Sequence, residues 1–229
     1  MNKTITLSLL FAVMASSANA QTSEEVEKAI KFEKYDVAKK DLYKLIKTEP
    51  NQGRHFYNLG KIHLIQNQSD SALIYFKNGL RATKNPFINN IGLGQLALEQ
   101  GKEKEARSKF NGAQGDIKKK DISTYLMIAQ ACLDSKKPDL ARATDFVNKA
   151  LKVNPNSVDA KVLLGDVYLA DKTSKLALTA YREALEIDVK SPLALTKVAN
   201  ISIYNKDYAT GVEKLNAVVK DNPNYELAY

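Results

Sequence analysis

Two histidines and one cysteine are the side chains in this 229-residue sequence best suited to metal or nucleophilic chemistry. His55 and His63 lie eight residues apart, two turns if the segment is helical. No carboxylate pair stands beside them at ligand spacing. His63 reads as a core or half-buried histidine, and His55 as solvent-facing near a helix start. The single Cys132 excludes both an internal disulfide and a cysteine-built zinc site. It reads as a buried small hydrophobe, because a catalytic thiol wants a basic, accessible setting. Gly92-x-Gly94-x-x-Ala97 has the outline of a dinucleotide-binding loop, but that loop needs a preceding strand and Asn85-Pro86 stands there instead. Glu103 and Glu105 read as a solvated helix face. No residue acquires a catalytic role, no cofactor or metal is implied, and the chain reads as a non-enzyme.

The elements that position these residues follow from composition and period. Apolar residues make up 44% and charged residues 26%, with a mean hydropathy of -0.34. That balance belongs to a globular chain and excludes both disorder and a multi-span membrane protein. The formal charge is +8. Lysines are spread along the chain, clustered only at Lys118-Lys119-Lys120 and Lys136-Lys137, where turns are expected. The basic balance therefore reads as a solvated surface and not as a nucleic-acid site.

Residues 1–20 form a three-part pattern: Lys3, an apolar run from Ile5 to Ala15, and Ala18-Asn19-Ala20. This is the layout of a secretory signal, cleaved after Ala20. The run is too short for a spanning helix, which needs about 20 apolar residues, so no integral membrane span is expected. No cysteine follows the cleavage point, so no lipoprotein-type anchor is expected. The Ala-x-Ala ending suits bacterial export, to the periplasm or cell envelope.

The remaining 21–229 repeats at one interval. Gly60 and Gly94 are 34 apart, as are Ala38, Ala72 and Ala106 in succession, Leu42, Phe76 and Phe110, and Ala143, Ala177 and Gly211. Pro155 and Pro223 are separated by twice that interval. Within each unit apolar residues recur at three and four, which is helical spacing. Short polar turns such as Gln66–Asp70, Gln100–Lys102 and Asp171–Thr173 divide each unit into two helices. The expectation is all-α: about six helix hairpins over 21–52, 53–86, 87–121, 122–157, 158–191 and 192–225. A seventh begins at 226–229. The first helix starts near Ser23, with Thr22 and Glu25 as a capping box.

The pattern resembles the tetratricopeptide repeat: an aromatic, then Leu-Gly-x2-Tyr, then Ala-x3-Phe, then Pro. Residues 158–191 carry Leu164-Gly165-x2-Tyr168 and Ala177-x3-Tyr181. Residues 53–86 carry Phe56-x2-Leu59-Gly60-x2-His63 and Ala72-x3-Phe76, and residues 87–121 carry Leu93-Gly94 and Ala106-x3-Phe110. Residues 122–157 carry Tyr125-x2-Ile128-Ala129-x2-Cys132, Ala143-x3-Val147 and Pro155. They also hold a two-residue insertion around Lys136-Lys137-Pro138. Residues 192–225 carry Leu195-x2-Val198-Ala199 and Pro223. Asn90 and Lys161 depart from the usual bulky residue, and Ser202 from Tyr. Small residues let paired helices approach closely, and since one hairpin cannot bury its apolar face alone, stacking is obligatory. The resemblance implies an α-α superhelix, a solenoid whose concave face is lined by the first helices.

The resemblance also implies a partner and a place for it. Peptide or helix segments of another protein lie in the concave groove, at positions two, five, six and nine of each first helix. These map to Arg54, Tyr57, Asn58 and Lys61; Ile88, Ile91 and Gln95; Ser123, Leu126, Met127 and Gln130; Asp159, Val162, Leu163 and Asp166; and Leu193, Thr196, Lys197 and Asn200. The middle units present an apolar stripe with polar ends, the form of an interaction surface. Ile91, Leu126 and Val162 have the alternative of burying against the neighbouring repeat. The clamp for acidic tails found in the chaperone-binding subgroup is not expected. Its positions hold Tyr57, Lys61, Gly92, Ser123 and Met127, of which only Lys61 is cationic.

The sequence thus points to an exported, non-enzymatic scaffold or adaptor in a bacterial envelope. An alternative is the N-terminal targeting module of a longer envelope enzyme or sensor, and another is direct binding of an anionic envelope polymer. The exposed flank of the last repeat either continues into a longer repeat array or serves self-association or another partner.

Overall fold

The structure is a computed structural model that describes residues 23–114, 121–223 and 225. Residues 1–20, read above as a signal, the expected Thr22 cap, the Lys118–Lys120 cluster and residues 226–229, where a seventh repeat is expected, lie outside the described residues. Among the described residues there are twelve α-helices and no strand. They are α1 (23–31), α2 (Tyr35–Thr48), α3 (Gly53–Ile65), α4 (Ser69–Gly79), α5 (Asn89–Glu99), α6 (Glu103–Ala113), α7 (Ser123–Leu133), α8 (Leu140–Val153), α9 (Val158–Ala170), α10 (Ser174–Ile187), α11 (Pro192–Tyr204) and α12 (Tyr208–Asp221). They pair in chain order into six hairpins, an all-α helical repeat. No described helix is long and apolar enough to cross a membrane.

The chain divides into two compact units, one ending at Pro86 and the other starting at Phe87. In the first, α1, α2 and α3 close around Val26, Ala29, Ala38, Leu42, Leu45, Leu59 and Ile62. The stretches of chain that follow α2 and α4 meet: Gly53 N–H donates to the Lys84 carbonyl at 2.8 Å, and Lys84 N–H donates to the Asn51 carbonyl at 2.9 Å. In the second unit the first helices α5, α7, α9 and α11 contact one another in succession, while α8 packs on α9 and α10 on α11. One cluster shows the stacking directly. Ala177, Tyr181 and Ala184 of α10 are covered by Val162 on one side and by Ala194, Val198 and Ile201 on the other.

The 34-residue pattern has a steric cause inside each hairpin. A Cβ added at Gly60 would stand 2.5 Å from Phe76 Cε1, and one at Gly94 would stand 2.5 Å from Phe110 Cε1. At Gly165 it would meet the Tyr181 ring. Carbon pairs rest at about 3.5–4.0 Å, so glycine is the side chain that admits these fully buried rings. Departures from the pattern are matched locally. Lys161 pairs with Glu183 on α10 at 2.5 Å, and Asn90 lies opposite Gly112, where a Cβ would be 3.1 Å from its Nδ2.

The turns within hairpins repeat as well. Glu33, Asn67, Gly101, Lys172 and Lys206 all have φ between 58° and 73°. After α3, Gln68 N–H donates to the His63 carbonyl and Asn67 N–H to the Leu64 carbonyl. The same pair of bonds closes α1, α5, α9 and α11, the Schellman ending that satisfies the last helical carbonyls. The fourth hairpin differs, because of the insertion visible in the sequence. Asp139 N–H reaches back to the Cys132 carbonyl, and Ser135 is buried. Pro50, Pro155 and Pro223 each stand two residues beyond the last residue of α2, α8 and α12, where a helix has already stopped.

Candidate functional site

The residues named for their chemistry are structural. Cys132 has no exposed area, and burial pushes its thiol up to about 12, with Asp139 adding to the shift. His63 is buried and satisfied. Its Nδ1 bonds Gln68 Oε1 at 2.5 Å, and its ring stacks on Tyr75 at 5.0 Å between centroids. Burial, with a hydrogen bond to Tyr43, raises the Tyr75 hydroxyl to about 12. His55 corrects the sequence reading. It is 5% exposed, because the turn after α2 folds over it and places Glu49 Oε2 3.6 Å from its Nε2. Burial holds its pKa below the ordinary histidine value. Gly92, Gly94 and Ala97 all lie inside α5, so their amides are spent on the helix and cannot cradle a phosphate.

The groove positions divide by unit. In the first unit Tyr57 is buried, with its ring 6.1 Å from Phe76, and Asn58 and Lys61 are half-buried. In the second unit Ile88 is half-buried in a 3₁₀ turn, while Ile91 has no exposed area and Gln95 is 5% exposed. Ile91 and Gln95 therefore do not present a surface. The cause is that α5 is covered all round, with nine of its residues buried, and a helix apolar on every side has no free face.

Eight of the remaining positions of the second unit come together. Leu126, Met127 and Gln130 of α7, Asp159, Val162, Leu163 and Asp166 of α9, and Leu193 of α11 border one cavity of about 270 Å³. Its walls are aliphatic: Leu126, Met127 and Leu193 are half-buried, while Val162 and Leu163 are buried, Val162 against the neighbouring helices, and reach the hollow only as its floor. Its polar edge carries the carboxylates Asp159 and Asp166. Gln130 is held by Asp134 at 2.6 Å. The helical phase explains the grouping, since positions three and four apart share a face. Ser157 and Ser191 fix where α9 and α11 begin: their hydroxyls accept from Ala160 N–H at 3.2 Å and Ala194 N–H at 3.4 Å.

Asp166 forms the hub of this face. Its Oδ1 accepts from the Tyr181 hydroxyl at 2.6 Å and pairs with Lys197 Nζ at 2.7 Å. The bonds tie α9 to its own hairpin partner α10 and to the next first helix α11. Burial, then the bond to Asp166, raises the Tyr181 hydroxyl above its ordinary value. On the far side of the Asp166–Lys197 pair lies a second cavity of about 580 Å³. Lys197 and Asn200 border it, together with Leu169, Lys172, Ser174, Tyr181, Ile201 and Tyr204. The mapping from sequence stopped at position nine and missed Leu169 and Tyr204. They follow Asp166 and Asn200 by three and four residues, which is the signal that could have found them.

The fourth hairpin's insertion reaches back to α5. Lys136 Nζ lies 3.9 Å from Glu99 Oε2, whose side chain is 7% exposed. Burial holds the Glu99 carboxyl above its ordinary value, opposed by Lys136 and by a hydrogen bond from Gln95.

Comparison with known proteins agrees with this architecture. The sequence model described as tetratricopeptide repeat matches residues 126–192, from α7 to the start of α11. No curated protein matches. Among solved structures, the chain is similar to TTC0263, a thermophilic tetratricopeptide protein of Thermus thermophilus, at 16% identity and a TM-score of 0.52, covering 76% of this chain and 94% of that one. It is similar to a human IFIT1 dimer with PPP-AAAA at 16% identity and a TM-score of 0.53, covering 81% of this chain and 46% of that one. It is also similar to YrrB, described as having an unusual peptide-binding site, at 17% identity and a TM-score of 0.45, over 82% of this chain and 95% of that one. Residues 126–192 thus match the tetratricopeptide repeat, and the described chain shares the helical-repeat fold of these structures.

Proposed function

We propose that the chain is an exported, non-enzymatic adaptor of a bacterial envelope whose first-helix groove over α7, α9 and α11 takes a segment of another protein. The observation that carries this reading is the first cavity: eight positions from the first helices of three successive hairpins share one aliphatic hollow with a polar edge. Apolar hollows rimmed by polar groups are the usual form of a binding site. Met127 adds an adaptable, half-buried contact. Export rests on the three-part pattern of residues 1–20. The groove as proposed omits Ile91 and Gln95.

The test is capture from an envelope extract by the immobilised chain starting at Gln21, compared with Met127→Asp. The position is half-buried, so the variant keeps its helical circular dichroism. Retention of a defined protein by the wild type and its loss in the variant is expected. Retention that is identical in both, or that is confined to acidic polymer and collapses with added salt, would overturn the reading.

A further inference from the structure

The groove changes charge along its length. Among the described residues, the ionic side chains on the first cavity are the carboxylates Asp159 and Asp166, and on the second the cations Lys172 and Lys197. Asp166 and Lys197 neutralise each other at 2.7 Å on the boundary. What remains uncompensated is Asp159 in the first turn of α9 and Lys172 just beyond its last turn, both exposed. Between them run an aliphatic floor in the first cavity and the apolar walls Leu169, Ile201 and Tyr204 in the second. Tyr204 is 83% exposed and Leu169 43%, large apolar surfaces at the basic end that the fold itself does not cover.

We propose that the occupant of this groove is a single protein segment with a fixed polarity: a basic residue beside Asp159, an apolar side chain in the first cavity, and an acidic residue beside Lys172 next to an apolar contact with Tyr204. The segment lies along α9. The thirteen positions from Asp159 to Lys172 correspond to about 20 Å of helix rise, the length of about six residues of extended chain. Complementary charge at the two ends of an apolar site sets orientation and rejects the reversed segment. The pair at the centre gives the same face two separate hollows, so one side chain cannot slide between them. This inference rests on the adaptor reading and adds to it the chemistry and direction of the partner.

The experiment is selection of a phage-displayed random dodecapeptide library on the chain from Gln21, with Met127→Asp as counter-selection and the double charge reversal Asp159→Lys with Lys172→Glu as a second target. Neither of those two charges takes part in an ion pair among the described residues, and unchanged helical circular dichroism confirms that the reversed protein folds. The expected result is a set of groove-dependent peptides with basic, apolar and acidic residues in one order. The double reversal then weakens them about fivefold, as two partly exposed ion pairs would, and selects the opposite order. Groove-dependent peptides with no charge order, unaffected by the reversal, overturn the polarity and leave the adaptor reading standing. A library that yields no peptide sensitive to Met127→Asp overturns both.

Discussion

Replacing Gly94 with alanine tests the steric origin of the repeat. In an exposed helix the change would help, since alanine is favoured over glycine by about 1 kcal/mol. Here the new Cβ would stand 2.5, 2.7 and 2.9 Å from three atoms of the Phe110 ring. That ring is 1% exposed and lies 6.4 Å from Phe146, with the Arg142 guanidinium 5.9 Å from its centroid. To restore ordinary contact it must move by about 1 Å into occupied space. Overpacking of this kind costs about 1–3 kcal/mol, and with a fully buried ring to displace it outweighs the gain in propensity, so Gly94→Ala should lower stability by up to about 2 kcal/mol. The assay is urea unfolding followed by circular dichroism at 222 nm, in a double-mutant cycle with Phe110→Leu. The smaller side chain makes room, so the double variant should be more stable than the sum of the singles by at least about 1 kcal/mol. Gly101→Ala is the control. A Cβ there meets nothing within 4 Å, but φ is +73°, so the loss of about 1 kcal/mol should be additive with Phe110→Leu. A neutral or stabilising Gly94→Ala that adds independently to Phe110→Leu would refute the reasoning.

Asp166→Ala strands the buried Tyr181 hydroxyl and should cost about 1–3 kcal/mol, part of which Tyr181→Phe recovers when combined with it; denaturant midpoints of the four proteins measure this. Burial raises the Glu99 carboxyl, so the folded chain holds that proton more tightly than the unfolded one. Its contribution is present below the unfolded value and is lost as pH rises through the folded value. The Tm of Glu99→Gln relative to wild type should therefore rise as pH climbs above the ordinary carboxylate value. His55 has the opposite sign: its lowered pKa means that stability falls as pH drops below the ordinary histidine value, and His55→Gln should flatten this part of the Tm profile. Cys132, buried and with its thiol pushed up to about 12, should resist Ellman's reagent in the native chain and react once urea unfolds it.

The hairpin register was legible because its cause is local. A glycine and an aromatic sixteen residues later face each other within one hairpin, as Gly60 with Phe76 and Gly94 with Phe110. The grouping of Leu126, Met127, Val162 and Leu163 was legible for the same reason: 34-residue spacing combined with helical phase fixes which side chains share a face. What remained hidden depends on neighbours outside the repeat. Ile91 follows the same spacing as Leu126 but sits on a helix covered all round. His55 looked like a solvated first-turn residue until the turn after α2 closed over it. The Asp166–Lys197 tie joins residues 31 apart whose pairing no period dictates. Lys161 and Asn90 break the pattern, yet each is answered by a partner on the second helix of its own hairpin, Glu183 and Gly112.

Site-specific photocrosslinking in the cells that make the protein tests the groove most directly. A benzophenone amino acid at Met127, which borders the first cavity, is compared with one at Glu186, exposed on the second helix α10. The account predicts a discrete crosslinked protein from position 127 and none from position 186; crosslinks of equal yield and identity at both, or at 186 alone, would contradict it.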